Sequence, residues 1–232
     1  TNFAARLPAG TAVVEMAEAA GLERLPDGKN DPLRATTYGV GELIAHAVDS
    51  GCRKILLGLG GSATNDGGCG CAAALGVGFL DADGQSFVPV GDTLGRIARI
   101  DTAEAAALLR SVEITVMCDV TNPLYGPTGA AYVFAPQKGA DAEKVKSLDA
   151  GLRHFGDVIR SQYGLDVSAM PGAGAAGGMG AGCVALLGGT IQSGIDAVLD
   201  VTGFDRQLEG ADLVITGEGR IDSQSADGKV VS

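Results

Sequence analysis

The 232-residue sequence contains no C-x-x-C pair, no stripe of Lys and Arg, and no apolar run near the 18 or so residues that a membrane span needs. Its five cysteines (Cys52, Cys69, Cys71, Cys118 and Cys183) are odd in number and lack zinc or redox spacing. Reduced thiols in a cytoplasm are expected. The charge balance of 17 Lys and Arg against 28 Asp and Glu gives −11, which argues against nucleic-acid and anionic-membrane surfaces. Neither a Walker A pattern nor the protein-kinase motif set occurs, so phosphate chemistry here would need other loops. The opening TNFAARLPAG lacks a basic stretch followed by an apolar one and lacks Met, and the sequence stops at GKVVS without a cap. Both ends read as cut.

What is abundant is glycine. There are 37, more than twice the usual share of about 7%, with no G-X-Y period. The apolar set is 46% and charged residues 19%, a composition that folds. Backbone-built loops between regular elements are the expected form.

Alternating strand and helix patterns predict an α/β fold. Strands are expected at Gly10–Met16, Lys54–Gly60, Val112–Val120 and Leu213–Thr216, the second as a continuous apolar run of the doubly buried kind. Helices are expected at Met16–Leu22, Gly39–Ser50, within CGCAAALG, near Thr102–Leu109, over Asp141–Tyr163 and within CVALLGG. The stretch after Asp81 reads as turns. No fixed-period repeat or low-complexity linker divides the chain.

The chemistry-bearing residues fall in loops at strand ends, where glycine N–H groups and helix N-termini can hold an anion without net positive charge. GGSATNDGG supplies Gly60, Gly61, Ser62, Thr64, Asn65 and Asp66. Asp66 could hold Mg²⁺ or take a proton, or it could cap the following helix. Asp119 and Asn122 lie just past a strand, as ligand groups or as an Asx-turn before Pro123. Lys138, between turn residues, is either a point charge for phosphate or a solvated side chain. Gly172-x-Gly174-x-x-Gly177 matches the dinucleotide fingerprint but follows no buried strand, and close helix packing through Gly174, Gly177 and Gly178 explains it as well. TGEGRIDSQS adds Glu218, Arg220, Asp222, Ser223 and Ser225. His46 and His154 sit on helical patterns and read as structural.

Five segments in fixed order, GLGGSATNDGG, CDVTNPLYG, APQKGA, PGAGAAGGMG and TGEGRIDSQSADGK, resemble the bacterial type of glycerate kinase from about Val13 to Lys229. The resemblance implies ATP- and Mg²⁺-dependent phosphorylation of glycerate in the cytoplasm, with glycerate and ATP as small-molecule partners and a homodimer as one possible assembly. It also implies two α/β domains, one Rossmann-like or flavodoxin-like and built from both chain ends, the other inserted. Residues 1–206 would be the inserted α/β domain, and residues 207–232 the first strand and loop of the return into the Rossmann-like one. Family loops on either side would be missing, leaving this fragment inactive alone. On this reading Asp66, Lys138, Glu218 and Asp222 are the catalytic candidates, and Asp66 and Asp222 the metal ligands. Gly60, Gly61, Ser62, Thr64, Asn65, Asp119, Asn122, Gly174, Gly177, Gly178, Arg220 and Ser223 would bind nucleotide or substrate. Two alternatives stand beside it: an anion- or nucleotide-binding module that transfers nothing, and a dinucleotide-dependent oxidoreductase.

Overall fold

The computed structural model describes residues 7–26 and 30–213. Strands β1 (Thr11–Glu15), β2 (Lys54–Gly58), β5 (Glu113–Met117) and β6 (Thr190–Gln192) form one sheet in the order β1-β2-β5-β6, every pairing parallel. Val13 lies opposite Leu56, and Leu56 opposite Thr115. All four C-terminal ends therefore point to one edge. Ile55, Leu56 and Leu57 are buried in succession, as a strand covered on both faces requires.

Helices α1 (Ala17–Ala20), α2 (Tyr38–Asp49) and α3 (Cys69–Ala74) follow the first two strands. Val40, Ile44, Ala47 and Val48 of α2 are buried at helical spacing. The stretch after Asp81 that reads as turns runs instead, through a 3₁₀ segment, into a strand, β4 (Arg99–Asp101), which pairs as an antiparallel ribbon with β3 (Gly78–Leu80) just before Asp81. Each ribbon strand is three residues long, too short for period-two alternation to show. Phe79, Leu94, Ile97 and Ile100 bury the ribbon against α6 (Ala142–Tyr163), where Tyr163 Oη donates to Ile100 O at 3.0 Å.

Helix α6 matches its expectation closely. Asp141 caps it by accepting from the N–H groups of Glu143 and Lys144, and Gly164 ends it at φ 67°. Val145, Leu148, Leu152, Phe155 and Ile159 are its buried face. Truncating Leu152 or Phe155 to Ala would cost about 3–5 kcal/mol, since neither has exposed surface. His154 Nε2 lies 2.7 Å from Ile97 O, in keeping with a structural histidine.

The remaining helices are α4 (Ala103–Leu108), α5 (Ala130–Phe134), α7 (Ala175–Leu187), α8 (Gly194–Thr202) and α9 (Phe204–Leu208). The expected domain boundary at residue 206 falls inside α9. Of the expected strand Leu213–Thr216, Leu213 is exposed and not extended into a strand, and the rest lies outside the described residues.

Candidate active site

The C-terminal edge of the sheet carries a cleft of about 460 Å³. Its walls come from the loops after β2 (Leu59 to Ser62) and β5 (Cys118 to Val120), from Phe134, Gln137 and Lys138 after α5, and from Ala175 and Ala176 at the start of α7. The volume lies within the range usual for small-molecule sites.

Lys138 is one of the residues that line it. A 3₁₀ turn, Pro136–Lys138, ends at Gly139 with φ 92° and turns the side chain inward, leaving the residue 2% exposed. Its Nζ donates to Ser62 Oγ at 2.8 Å and to Thr64 O at 2.7 Å, and an ammonium has a third donor to offer. Burial lowers its pKa from 10.5 to about 8, with the negative charge of Asp66 opposing part of that shift. Of the two readings open for this lysine, the solvated one is excluded.

Among the described residues, the N–H groups of Gly60, Gly61, Ser62 and Ala176 have no hydrogen-bond acceptor. All four residues line the cleft. Unbonded backbone donors and a buried amine on the same cleft are groups that could hold anionic oxygen.

Asp66 requires a correction. It has no exposed surface, and its Oδ2 accepts from Thr37 N at 2.7 Å, Thr37 Oγ1 at 2.9 Å and Gly70 N at 3.3 Å, while Oδ1 accepts from Gly68 N at 3.1 Å. Burial pushes its carboxyl above the usual range, and the bonds from Thr37, Gly68 and Gly70 pull it back. A carboxylate with four donors and no solvent contact does not fit a metal ligand or an open base. It anchors the loop and satisfies the first turn of α3, with Thr37 as the partner that sequence reading missed.

The glycine tract serves the same loop from the other side. Ala176, Gly177 and Gly178 have φ of 52°, 69° and 91°, so the chain runs left-handed for three residues before α7 becomes regular. Gly177 O accepts from Gly67 N at 3.0 Å, and a Cβ on Gly177 would stand 2.1 Å from Thr64 O. These glycines are spacers that let two backbones touch. The dinucleotide fingerprint reading fails on this geometry, and the tract follows a loop rather than a strand. Ala176 is the one described non-glycine residue held at positive φ, a strained conformation placed on the cleft wall.

Asp119 lies two residues past the end of β5, in the cleft wall, and its Oδ1 accepts from Gly194 N at 2.8 Å. It fastens the start of α8 across 75 residues and does not form the Asx-turn. Asn122 is not part of the cleft lining; its side-chain amide donates to Thr128 O at 2.8 Å, and its backbone carbonyl accepts from Gly174 N. That loop is held from behind by Asp149, which accepts from Gly126 N at 2.6 Å, and by Arg153, stacked 4.2 Å over the Tyr125 ring. Thr64 Oγ1 and both polar atoms of the Asn65 amide are buried without a partner among the described residues. Glu218, Arg220, Asp222, Ser223 and Ser225 lie outside the described residues.

No group of three or more His, Cys, Asp or Glu side chains that could hold a metal occurs among the described residues. Asp119 Oδ2, on the cleft and without a hydrogen-bond donor among the described residues, is an oxygen that suits Mg²⁺, which needs only one or two carboxylates when substrate phosphates complete its shell.

Comparison with known proteins gives consistent results. The model of the glycerate kinase family matches residues 1–232. The chain is 53% identical over 219 residues to a Bacillus cereus protein named glycerate kinase, covering 94% of this chain and 58% of that protein. It is 48% identical over 220 residues to the Escherichia coli glycerate 2-kinase, covering 95% and 58%. A crystal structure from Salmonella typhimurium LT2, provisionally named glycerate kinase 2, superposes with a TM-score of 0.89 at 48% identity, over 96% of this chain and 59% of that one. The chain thus spans somewhat more than half the length of these relatives.

Proposed function

The chain belongs to the glycerate kinase family, and on that premise we propose that the complete protein phosphorylates a hydroxyl of D-glycerate with Mg²⁺-bound ATP, in a cytoplasm. The observation that carries this reading is the buried Lys138 ammonium sharing one cleft with Gly60, Gly61, Ser62 and Ala176, whose N–H groups have no acceptor among the described residues. Phosphoryl transfer asks a protein mainly to position two reactants and offset charge, and these groups do both.

In this reading Lys138 and the Gly60–Ser62 backbone hold a phosphate or the glycerate carboxylate. Asp119 is the cleft carboxylate that would hold Mg²⁺, which when bound would supply positive charge to offset that of the phosphates. Asp66 holds the loop shape on which these groups depend. The unpartnered Thr64 hydroxyl and Asn65 amide support a polar molecule nearby, because each such group costs about 1–3 kcal/mol if left unbonded. Glu218, Arg220, Asp222 and Ser223 keep the roles that the family motif implies, with Asp222 as the further metal ligand. Five free thiols fit a reducing compartment, and no helix among the described residues is long and apolar enough to cross a membrane.

The test is a coupled assay of the full-length protein with ATP, Mg²⁺ and D-glycerate, with the product's phosphorylated carbon identified by phosphorus NMR. Turnover that disappears in Lys138→Met is expected. Nucleotide binding with no turnover on any glycerate enantiomer would instead favour the non-transferring module.

A further inference from the structure

We propose that Ser62 is itself a phosphoryl acceptor: in the absence of an acceptor alcohol its hydroxyl takes the terminal phosphoryl group of a nucleoside triphosphate bound in the cleft. The inference rests on the proposed nucleotide site and adds a residue-specific chemistry to it. Ser62 lines the cleft, and its Oγ is 2.8 Å from Lys138 Nζ. Lys138 is in turn oriented by Thr64 O at 2.7 Å. Nucleophile, base and orienting group thus stand in the order found in activated hydroxyl centres, including those that pair serine with lysine. Gly60, Gly61 and Ala176 line the same cleft, and their N–H groups have no acceptor among the described residues, which leaves donors for the oxygens of a group under attack. Burial brings the amine to about 8, so near neutral pH a minority of molecules carries the unprotonated form able to accept a proton.

The step balances as follows. Ser62 Oγ forms a bond to the terminal phosphorus, and the bond from that phosphorus to the bridging oxygen breaks. The electron pair leaves with the nucleoside diphosphate, and the hydroxyl proton passes to Lys138 Nζ. A phosphoserine remains in the cleft.

Two arms test this with the full-length protein. The first incubates it with Mg²⁺-bound ATP without glycerate and maps phosphopeptides by mass spectrometry. One phosphoryl group on Ser62 is expected, absent in Ser62→Ala and reduced at least tenfold in Lys138→Met. The second uses an alkyl phosphonofluoridate, which needs no nucleotide; the expected adduct is on Ser62 and is lost in the same variants. Phosphate on other residues only, or ATP binding by calorimetry with no phosphoserine, overturns the proposal. If ATP does not bind at all, the nucleotide reading fails, and the self-phosphorylation proposal fails with it. The second arm then still reports whether Ser62 is an activated nucleophile: an adduct there would locate the fault in the nucleotide reading, and no adduct would locate it in the Ser62–Lys138 pair as well.

Discussion

Lys138 Nζ donates to Ser62 Oγ at 2.8 Å although 76 residues separate the two in sequence. That bond ties the 3₁₀ turn after α5 to the loop after β2, and it places the charge of an otherwise acidic chain where the cleft needs it. Most of the cation's cost is desolvation: a shift from 10.5 to about 8 corresponds to about 3 kcal/mol against the charged form. On the proposed function, an anion bound beside the ammonium would offset that cost.

Replacing Lys138 with Met keeps the bulk and removes the charge. The buried charge is relieved while Ser62 Oγ and Thr64 O lose their donor, terms of similar size and opposite sign. Calorimetric melting should therefore show Tm within a few degrees of the parent. ATP affinity and turnover should each fall at least about a hundredfold, the loss expected for a desolvated charge on phosphate. Unchanged affinity would place the anion elsewhere.

The pH response of Lys138 has two opposite signs. Its folded value lies below the unfolded one, so between about pH 8 and 10.5 the unfolded chain holds more protons and the lysine's contribution to stability rises with pH. Anion affinity runs the other way, strong below about pH 8 and weakening above it as the ammonium is lost. Asp66 opposes the shift through its charge, and Asp119 faces the same cleft. Titration calorimetry of ATP at pH 7 and pH 9.5 reads the second effect, and Lys138→Arg should flatten it.

Asp66→Asn should act through the loop rather than through chemistry at an open carboxylate. Asparagine offers one acceptor where Asp66 takes four bonds, and its NH₂ would face the N–H groups now bound to Asp66. A loss of about 2–4 kcal/mol follows, or a fall in Tm of roughly 5–15 °C. Full turnover at an unchanged Tm would show that the anchor is dispensable.

Gly177→Ala and Ala176→Gly form a pair of opposite expectation. The first brings a Cβ to 2.1 Å from Thr64 O at φ +69° and should push the two loops apart, with a cost above about 3 kcal/mol and loss of ATP binding. The second relieves a left-handed alanine and should leave stability equal or up to about 1 kcal/mol higher. Denaturant melts of both variants check this.

The sequence by itself determined the α/β class, the doubly buried β2, the amphipathic α2 and α6 with their ends, and, through five motif segments in fixed order, the family. The elements among these depend on local periodicity and capping, which neighbouring residues settle among themselves. The position of loops at strand ends was legible for the same reason. What each loop residue does was decided only by tertiary structure. In sequence Lys138 is a point charge for phosphate or, more commonly for such a lysine, a solvated side chain, until Ser62 and Thr64 are brought to it from 76 and 74 residues away. Asp66 reads as an open carboxylate or as a cap for the following helix until Thr37, 29 residues earlier, closes over it. The short β3, β4 and β6 carry too few residues for a pattern, and exist because Phe79, Ile100 and the β5 edge give their backbones partners and cover. The glycine tract looks like a ligand loop in sequence and serves as a close-packing joint in space, because the contact that requires glycine lies on another segment of the chain.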